Sequence, residues 1–105
     1  MKSLRDPKRK PTHPGAVLRE DLLPHLQLTQ AQFAERMGVS RLTVSEILHE
    51  KRGVSAEMAV RIAKVLRTTP EMWLRMQEAR DLWDVQQDPD RFARVQPLSK
   101  ELLAA

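Results

Sequence analysis

The chain has 105 residues, with 18 Lys and Arg against 14 Asp and Glu, a formal net charge of +4 and no cysteine. This length accommodates one domain with a modest core but not a deep catalytic cleft in addition, and the lack of cysteine excludes disulfide scaffolds, zinc ribbons and thiol catalysis. The basic balance suits a polyanionic partner, although charge alone would also fit a membrane surface or an acidic protein.

The first 11 residues are rich in Lys and Arg, and Pro7 and Pro11 discourage a helix there. We predict a flexible basic tail, which either adds charge alone or binds an anionic partner.

The first packed helix should begin at Pro14. A proline is tolerated in the first helical position because the N–H group it lacks would have no hydrogen-bond partner within the helix. Its apolar residues recur at helical spacing up to Pro24, which ends or kinks it. We expect His13 to be a cap or a surface residue, since the histidines are spaced too irregularly for a metal site.

A capping box predicts where the second helix begins. Thr29 and Gln32 are at the spacing at which the side chain of each residue accepts a hydrogen bond from the backbone N–H of the other. Phe33 and Met37 belong to the apolar face of this helix. Gly38 supplies a left-handed residue that ends it without steric cost.

Residues 40–50 predict a short helix whose two faces differ. Ser40 is a suitable N-cap, and Val44, Ile47 and Leu48 form a narrow apolar seam that faces a core. Two short helices joined by a turn containing glycine form a helix-turn-helix unit, whose second helix lies in the major groove of DNA. The polar face and the loop that follows it carry Arg41, Leu42, Ser45, Glu46, Lys51 and Arg52.

Two further helices follow. One is predicted over residues 56–66, with an inner face formed by Met58, Ala59, Ile62, Ala63 and Leu66. The next should begin with Thr69 as its N-cap and Pro70 in its first position, and reach about Gln87. Trp73 is expected in the core. Trp83 lies nearly three turns further along, so it either packs against another subunit or folds back on its own domain.

The long helix has more apolar positions than one narrow stripe needs, and we predict that it forms a dimer interface through Met76, Ala79, Leu82 and Trp83. Pro89 breaks this helix. Residues 88–105 are predicted to form a tail, with a loose end, that could add an edge strand or lie across a partner.

Residues 29–52 resemble the DNA-binding domain of the phage-repressor (Cro or XRE) family. A closer likeness covers about residues 12–84. The motifs HPG (13–15), LRE (18–20), LLP (22–24), LTQ (28–30), SRLTVS (40–45) and TPEMWL (69–74) resemble the HigA antitoxin family, also called virulence-associated protein I-like. The resemblance implies an antitoxin that dimerises, represses its own operon and neutralises a HigB-type toxin, an mRNA-cleaving ribonuclease of RelE-like fold.

The predicted contacts with DNA are of two kinds. Phosphate contacts set the docking register, and base contacts read the sequence. Arg41 is the best candidate base reader, because its guanidinium can meet guanine O6 and N7 together. Glu46 falls where this family places a base-facing residue. The base-contacting candidates are Arg41, Leu42, Ser45 and Glu46, and the phosphate-contacting candidates are Gln30, Ser40, Thr43, Lys51 and Arg52.

The sequence therefore predicts an all-α, five-helix phage-repressor-like helix-turn-helix domain over residues 12–87 with an extended C-terminal helix, flanked by tails at residues 1–11 and 88–105. The predicted partners are operator DNA, a HigB-type toxin and a second copy of the chain, with no cofactor and no metal. The alternative is a stand-alone repressor of the same family without a toxin. No apolar run is long enough to span a membrane and the first residues lack the core of a signal peptide, so we expect a cytoplasmic protein. We do not expect an enzyme, because the sequence has no cysteine, no phosphate-binding Gly-rich loop and no plausible paired acid and base.

Overall fold

The structure, a computed structural model, describes residues 9–104, and within that range it consists of helices and connecting turns without a strand. Helix α1 covers residues 14–25 in three joined segments, Pro14–Val17, a wider π-helical turn at Leu18–Leu22, and Leu23–His25. The others are α2 (Gln30–Met37), α3 (Arg41–Leu48), α4 (Ala56–Leu66), α5 (Pro70–Gln86), a 3₁₀ turn at Pro89–Phe92 and the short α6 (Lys100–Ala104). The predicted all-α fold with five principal helices is confirmed.

Of the two predicted effects of Pro24, an end of α1 is wrong, because the helix continues to His25. Ahead of the proline, the backbone N–H of Leu23 donates to the carbonyl of Leu18, five residues earlier. Proline has no N–H with which to continue the regular hydrogen-bond ladder, and a widened turn is one way in which a helix accommodates it. The chain leaves the helix at Gln27, whose φ is 55°.

The core lies between α1, α2, α3, α4 and the first half of α5. Its largest members, Trp73 and Phe33, are fully buried, and the Trp73 indole N–H donates to Thr68 Oγ1 at 2.8 Å. The apolar faces that the sequence predicted for α2, α3 and α4 all point into this core, except that Leu66 is only half-buried. The expectation that Trp73 belongs to the core is confirmed.

Side chains cap most of the helices as predicted. In the capping box, Gln32 N–H donates to Thr29 Oγ1 at 3.1 Å and Thr29 N–H donates to Gln32 Oε1 at 2.9 Å. At the start of α5, Pro70 occupies the first turn but Thr69 makes no side-chain capping bond, so this helix lacks the hydroxyl cap that the sequence predicted.

Residues 86–104 are exposed along their whole length. The edge strand that the sequence left open for this tail does not form, since none of the described residues offers a strand to pair with, and Pro89–Phe92 is a 3₁₀ turn instead. Where a loose end was predicted, Ser99 Oγ accepts from the N–H of Leu102 at 3.3 Å and starts α6. Of the predicted basic tail, residues 1–8 lie outside the described residues. No helix among those described has both the length and the apolar character needed to cross a bilayer.

Candidate DNA-binding surface

Helices α2 and α3 are joined by a tight turn with the predicted left-handed glycine. Gly38 has φ 72°, and the N–H groups of Gly38 and Val39 donate to the carbonyls of Glu35 and Ala34, both at 3.1 Å. Arg61 of α4 braces the turn by donating to the carbonyl of Met37 at 2.7 Å. The geometry is that of a helix-turn-helix unit, as predicted.

Helix α3 presents the two faces that its sequence indicated. Val44, Ile47 and Leu48 are at most 2% exposed and hold the helix on the core. Arg41 is exposed and so is Leu42, whose side chain is 69% exposed. Leu42 therefore adds an apolar side chain to the solvent-facing side of α3.

Helix α1 approaches α3 more closely than any side chain would allow. A Cβ at Gly15 would overlap the carbonyl oxygen of Ile47, so only glycine permits this contact. His13 caps α1 from inside the structure, because its Nδ1 accepts from the N–H of Gly15 at 2.9 Å and the ring is only 5% exposed. The expectation of a cap is confirmed, although the residue is buried rather than on the surface.

The turn after α3 is closed by two backbone hydrogen bonds. Lys51 N–H donates to the carbonyl of Glu46 at 2.8 Å, and Glu50 N–H donates to that of Ile47 at 3.1 Å. This is the Schellman pattern, with Glu50 at the left-handed position that glycine usually occupies, φ 62°. The pattern folds the basic pair Lys51 and Arg52 back alongside the end of α3.

Glu50 is also the centre of an ion-pair cluster. Its carboxylate meets Arg80 of α5 at 3.1 Å and Arg19 of α1 at 3.4 Å, and Arg19 additionally donates to the carbonyl of Leu48. Burial alone would raise the pKa of Glu50, but the hydrogen bond and charge of Arg80, the charge of His13 and the hydrogen bond of Arg19 hold that pKa below its usual value. The cluster therefore ties two helices, α1 and α5, to the end of α3.

A second polar contact fixes the loop that leads to α4. Gln77 of α5 is 6% exposed, and its Oε1 accepts from the N–H of Val54 at 2.8 Å while its Nε2 donates to Asp81 at 2.8 Å. The sequence did not identify four residues that position α3, namely Gly15, Glu50, Gln77 and Arg80. For Gln77 and Arg80 the available signal was their spacing, four and seven residues after the core residue Trp73 on the same helix.

The structure brings the predicted DNA contacts together around α2, α3 and the following turn. Gln30 is exposed in the first turn of α2, and Ser40 Oγ lies 2.9 Å from Thr43 Oγ1 at the start of α3. Lys51 is exposed, whereas Arg52 donates to Glu46 Oε1 at 2.9 Å. Ser45 and Glu46 are half-buried on the outer side of α3.

Residues 18–73 match the family described as helix-turn-helix. The chain belongs to this family. Among relatives, it is 42% identical over 92 residues to an uncharacterised helix-turn-helix-type transcriptional regulator of Haemophilus influenzae, covering 85% of this chain and 86% of that one. It is 39% identical over 97 residues to the antitoxin HigA-1 of Vibrio cholerae, covering 90% of each chain.

A solved structure of antitoxin GraA in complex with its operator is 42% identical to this helix-turn-helix protein, with a TM-score of 0.78, and the match covers 92% of this chain and 99% of that one. The resemblance to HigA antitoxins that was drawn from separate motifs is confirmed. The family is one of DNA-binding transcriptional regulators and antitoxins rather than of enzymes.

Outside the helix-turn-helix, α5 carries the residues predicted to form a dimer interface. Met76, Ala79 and Trp83 are half-buried, and Leu82 is 59% exposed. Lys10 Nζ lies 5.6 Å from the centroid of the Trp83 ring, a cation–π contact from the chain's own N-terminal segment. The interface itself stays a prediction.

Proposed function

We propose that this protein is a HigA-type antitoxin that binds the operator of its own operon as a homodimer and neutralises a HigB-type toxin. The observation that carries the proposal is the recognition helix α3, which offers Arg41 and Leu42 to solvent while its other face is fixed in the core. The operator complex of its relative GraA supports the same use of the fold here. Such a function is exercised in the cytoplasm, where the operator is.

Base reading is assigned to the exposed side of α3. Arg41 lies in its first turn, and its guanidinium can donate to guanine O6 and N7 together. Leu42 suits an apolar contact with a thymine methyl group. Ser45 and Glu46 follow one turn later on the same side.

Phosphate contacts surround this face. Ser40 Oγ and Thr43 Oγ1 are 2.9 Å apart, so one of these hydroxyls donates a hydrogen bond to the other. The hydrogen of the accepting hydroxyl is then free to donate to a phosphate. Gln30 and Lys51 offer further donors at the start of α2 and in the turn after α3. These contacts would set the register of the protein on the duplex without reading its sequence.

Dimerisation is assigned to α5. Met76, Ala79 and Trp83 recur at intervals of three and four residues, so they form one stripe along the helix, and Leu82 lies exposed beside Trp83. A two-fold dimer would place two copies of α3 in major grooves about 34 Å apart, as inverted half-sites require. Loss of this interface, for example in Trp83→Ala, should weaken operator binding more than toxin binding. An equal loss of operator binding and toxin binding would contradict the assignment of α5 to dimerisation alone.

Toxin neutralisation is supported by the likeness to the antitoxin HigA-1 of Vibrio cholerae, which spans 90% of both chains. The second candidate is a repressor without a toxin, which the similarity to the Haemophilus influenzae transcriptional regulator favours. The product of the neighbouring gene distinguishes these two candidate functions. If it encodes a small, basic, RelE-like protein whose toxicity co-expression of this chain relieves, the antitoxin function holds.

The DNA-binding part is tested by mobility shift on the DNA upstream of the gene, across a series of salt concentrations, with Arg41→Ala beside the wild type. We expect specific binding to be lost in Arg41→Ala while weak, salt-sensitive, non-specific binding remains. If wild type and variant bind every DNA alike, α3 is not a recognition helix and the proposal fails.

A further inference from the structure

On the proposed DNA face, one acid and one base are already paired with each other. Arg52 Nη2 donates to Glu46 Oε1 at 2.9 Å, across six residues of sequence. Both side chains are partly open to water, 48% exposed for Arg52 and 33% for Glu46. In the free protein such a pair adds little stability, so its significance lies in what it does to the DNA face.

The backbone brings this pair together. The hydrogen bond from Lys51 N–H to the carbonyl of Glu46 and the left-handed φ of Glu50 turn the chain back, so that Arg52 lies beside the last turn of α3. Glu50 is itself held by Arg19 and Arg80. Arg52 is therefore directed at Glu46 by a fixed turn rather than by the chance meeting of two long side chains.

An unpaired carboxylate here would face the phosphates of a bound duplex and be repelled by them. Arg52 cancels that charge and fixes the carboxylate by its Oε1 atom. Within the described residues, Oε2 has no hydrogen-bond partner. A carboxylate oxygen only accepts hydrogen bonds, so its suitable partner on DNA is an exocyclic amino group.

We propose that Glu46, positioned by Arg52, selects a cytosine in each half-site, and this inference rests on the proposed binding of operator DNA. Cytosine presents its N4 amino group in the major groove, whereas guanine and thymine present carbonyl oxygens that repel a carboxylate. Adenine also has an amino group, but its N7 acceptor lies beside it and faces the same carboxylate. Arg52 then acts as a positioning residue and not as a phosphate contact.

The test is selection of binding sites from a random duplex library, followed by measured affinity across a salt series for the selected site and its single-base changes. Wild type is compared with Glu46→Gln, Arg52→Gln, the double variant and Lys51→Gln. Lys51→Gln is the matched control, because it removes a neighbouring exposed cation from the same turn.

We expect wild type to prefer cytosine at one position of each half-site by about fivefold over other bases, the low end for one base contact. Arg52→Gln should remove this preference. Glu46→Gln should shift it towards adenine, since glutamine pairs with adenine N6 and N7. Glu46→Gln should also raise non-specific affinity, because it releases Arg52 to phosphates.

The salt dependence of DNA binding distinguishes a cation that contacts phosphates from one that positions another side chain. Lys51→Gln should weaken binding to all sequences alike and reduce the slope of log affinity against log salt by about 0.9 per subunit. The double variant, which loses no net charge, should keep the wild-type slope but lack the cytosine preference.

The inference is overturned if Arg52→Gln behaves as Lys51→Gln does, with all sequences weakened alike and the base preference kept. It is equally overturned if Glu46→Gln selects the same sequence as wild type. In both cases wild type still selects an operator that Arg41→Ala does not, so the proposed function stands. If wild type selects no sequence at all, the proposed function fails and this inference with it.

Discussion

Arg80 of α5 and Glu50 of the turn after α3 form an ion pair, with 3.1 Å between Nη1 and Oε1. The pair connects the helix proposed to form the dimer with the end of the helix proposed to read DNA. Arg80 also contacts the carbonyl of Pro11 and the carboxylate of Asp84, both at 3.4 Å. The position of α3 therefore depends on polar contacts from α5 as well as on the apolar core.

Replacement of Arg80 by methionine should lower the free energy of unfolding by about 1–3 kcal/mol, because it leaves the half-buried Glu50 carboxylate with Arg19 alone. Urea unfolding measures the change. Arg75→Met, at an exposed position of the same helix, is the control and should cost far less. Adding Glu50→Gln to Arg80→Met should restore part of the loss, and a strictly additive double variant would show that the two residues are not coupled.

Gly15→Ala should destabilise the protein by about 1–3 kcal/mol, since the new methyl group would force α1 away from the Ile47 carbonyl. It should also weaken DNA binding, because Ile47 belongs to α3. Gly53→Ala is the comparison, as a Cβ there comes no nearer than 3.2 Å to the Gln77 side chain. Equal unfolding midpoints for both variants would mean that α1 and α3 can separate at little cost.

Gln27→Gly should stabilise the protein by about 1 kcal/mol, because φ is 55° at this exposed helix end and the left-handed region is costly for residues with a side chain. Glu50→Gly relieves the same strain, at φ 62°, but removes the carboxylate that binds Arg19 and Arg80. We therefore expect Glu50→Gly to be less stable than wild type. Thermal unfolding should show a raised midpoint for Gln27→Gly and a lowered midpoint for Glu50→Gly. A raised midpoint for Glu50→Gly would refute a structural role for the ion pairs.

Stability should fall as the pH drops below about 6.5, through protonation of His13. Burial lowers the pKa of His13 from its ordinary 6.5, with Glu50 opposing the shift and Arg80 adding to it. The unfolded chain therefore binds this proton more readily than the folded one, so the stabilisation is complete above the unfolded pKa and is lost as the pH falls towards the folded pKa. His13→Asn keeps an N-cap but cannot titrate.

The measurement for His13 is urea unfolding from about pH 5 to pH 8, roughly the range in which histidine titrates. Wild type should lose stability towards the acid end, and His13→Asn should lose distinctly less. Parallel curves for the two proteins would mean that His13 does not distinguish the folded from the unfolded state.

Local chemistry determined much of this protein from the sequence alone. The capping box at Thr29, the left-handed Gly38 and the Ser40 cap each involve atoms within a few residues, so their geometry follows from nearby sequence. The apolar faces of α2, α3 and α4 follow in the same way from the period of the helix. These local signals placed both helices of the helix-turn-helix unit and showed which side of α3 is free.

Only the tertiary structure decided how α3 is held. Gly15 and Ile47, Glu50 and Arg80, and Val54 and Gln77 lie far apart in sequence, and no local rule states that they meet. The pairing of Glu46 with Arg52 likewise depends on a turn with a non-glycine residue at positive φ, which the sequence does not announce. Contacts over long sequence separations depend on the packing of whole helices, whereas caps and helix faces do not.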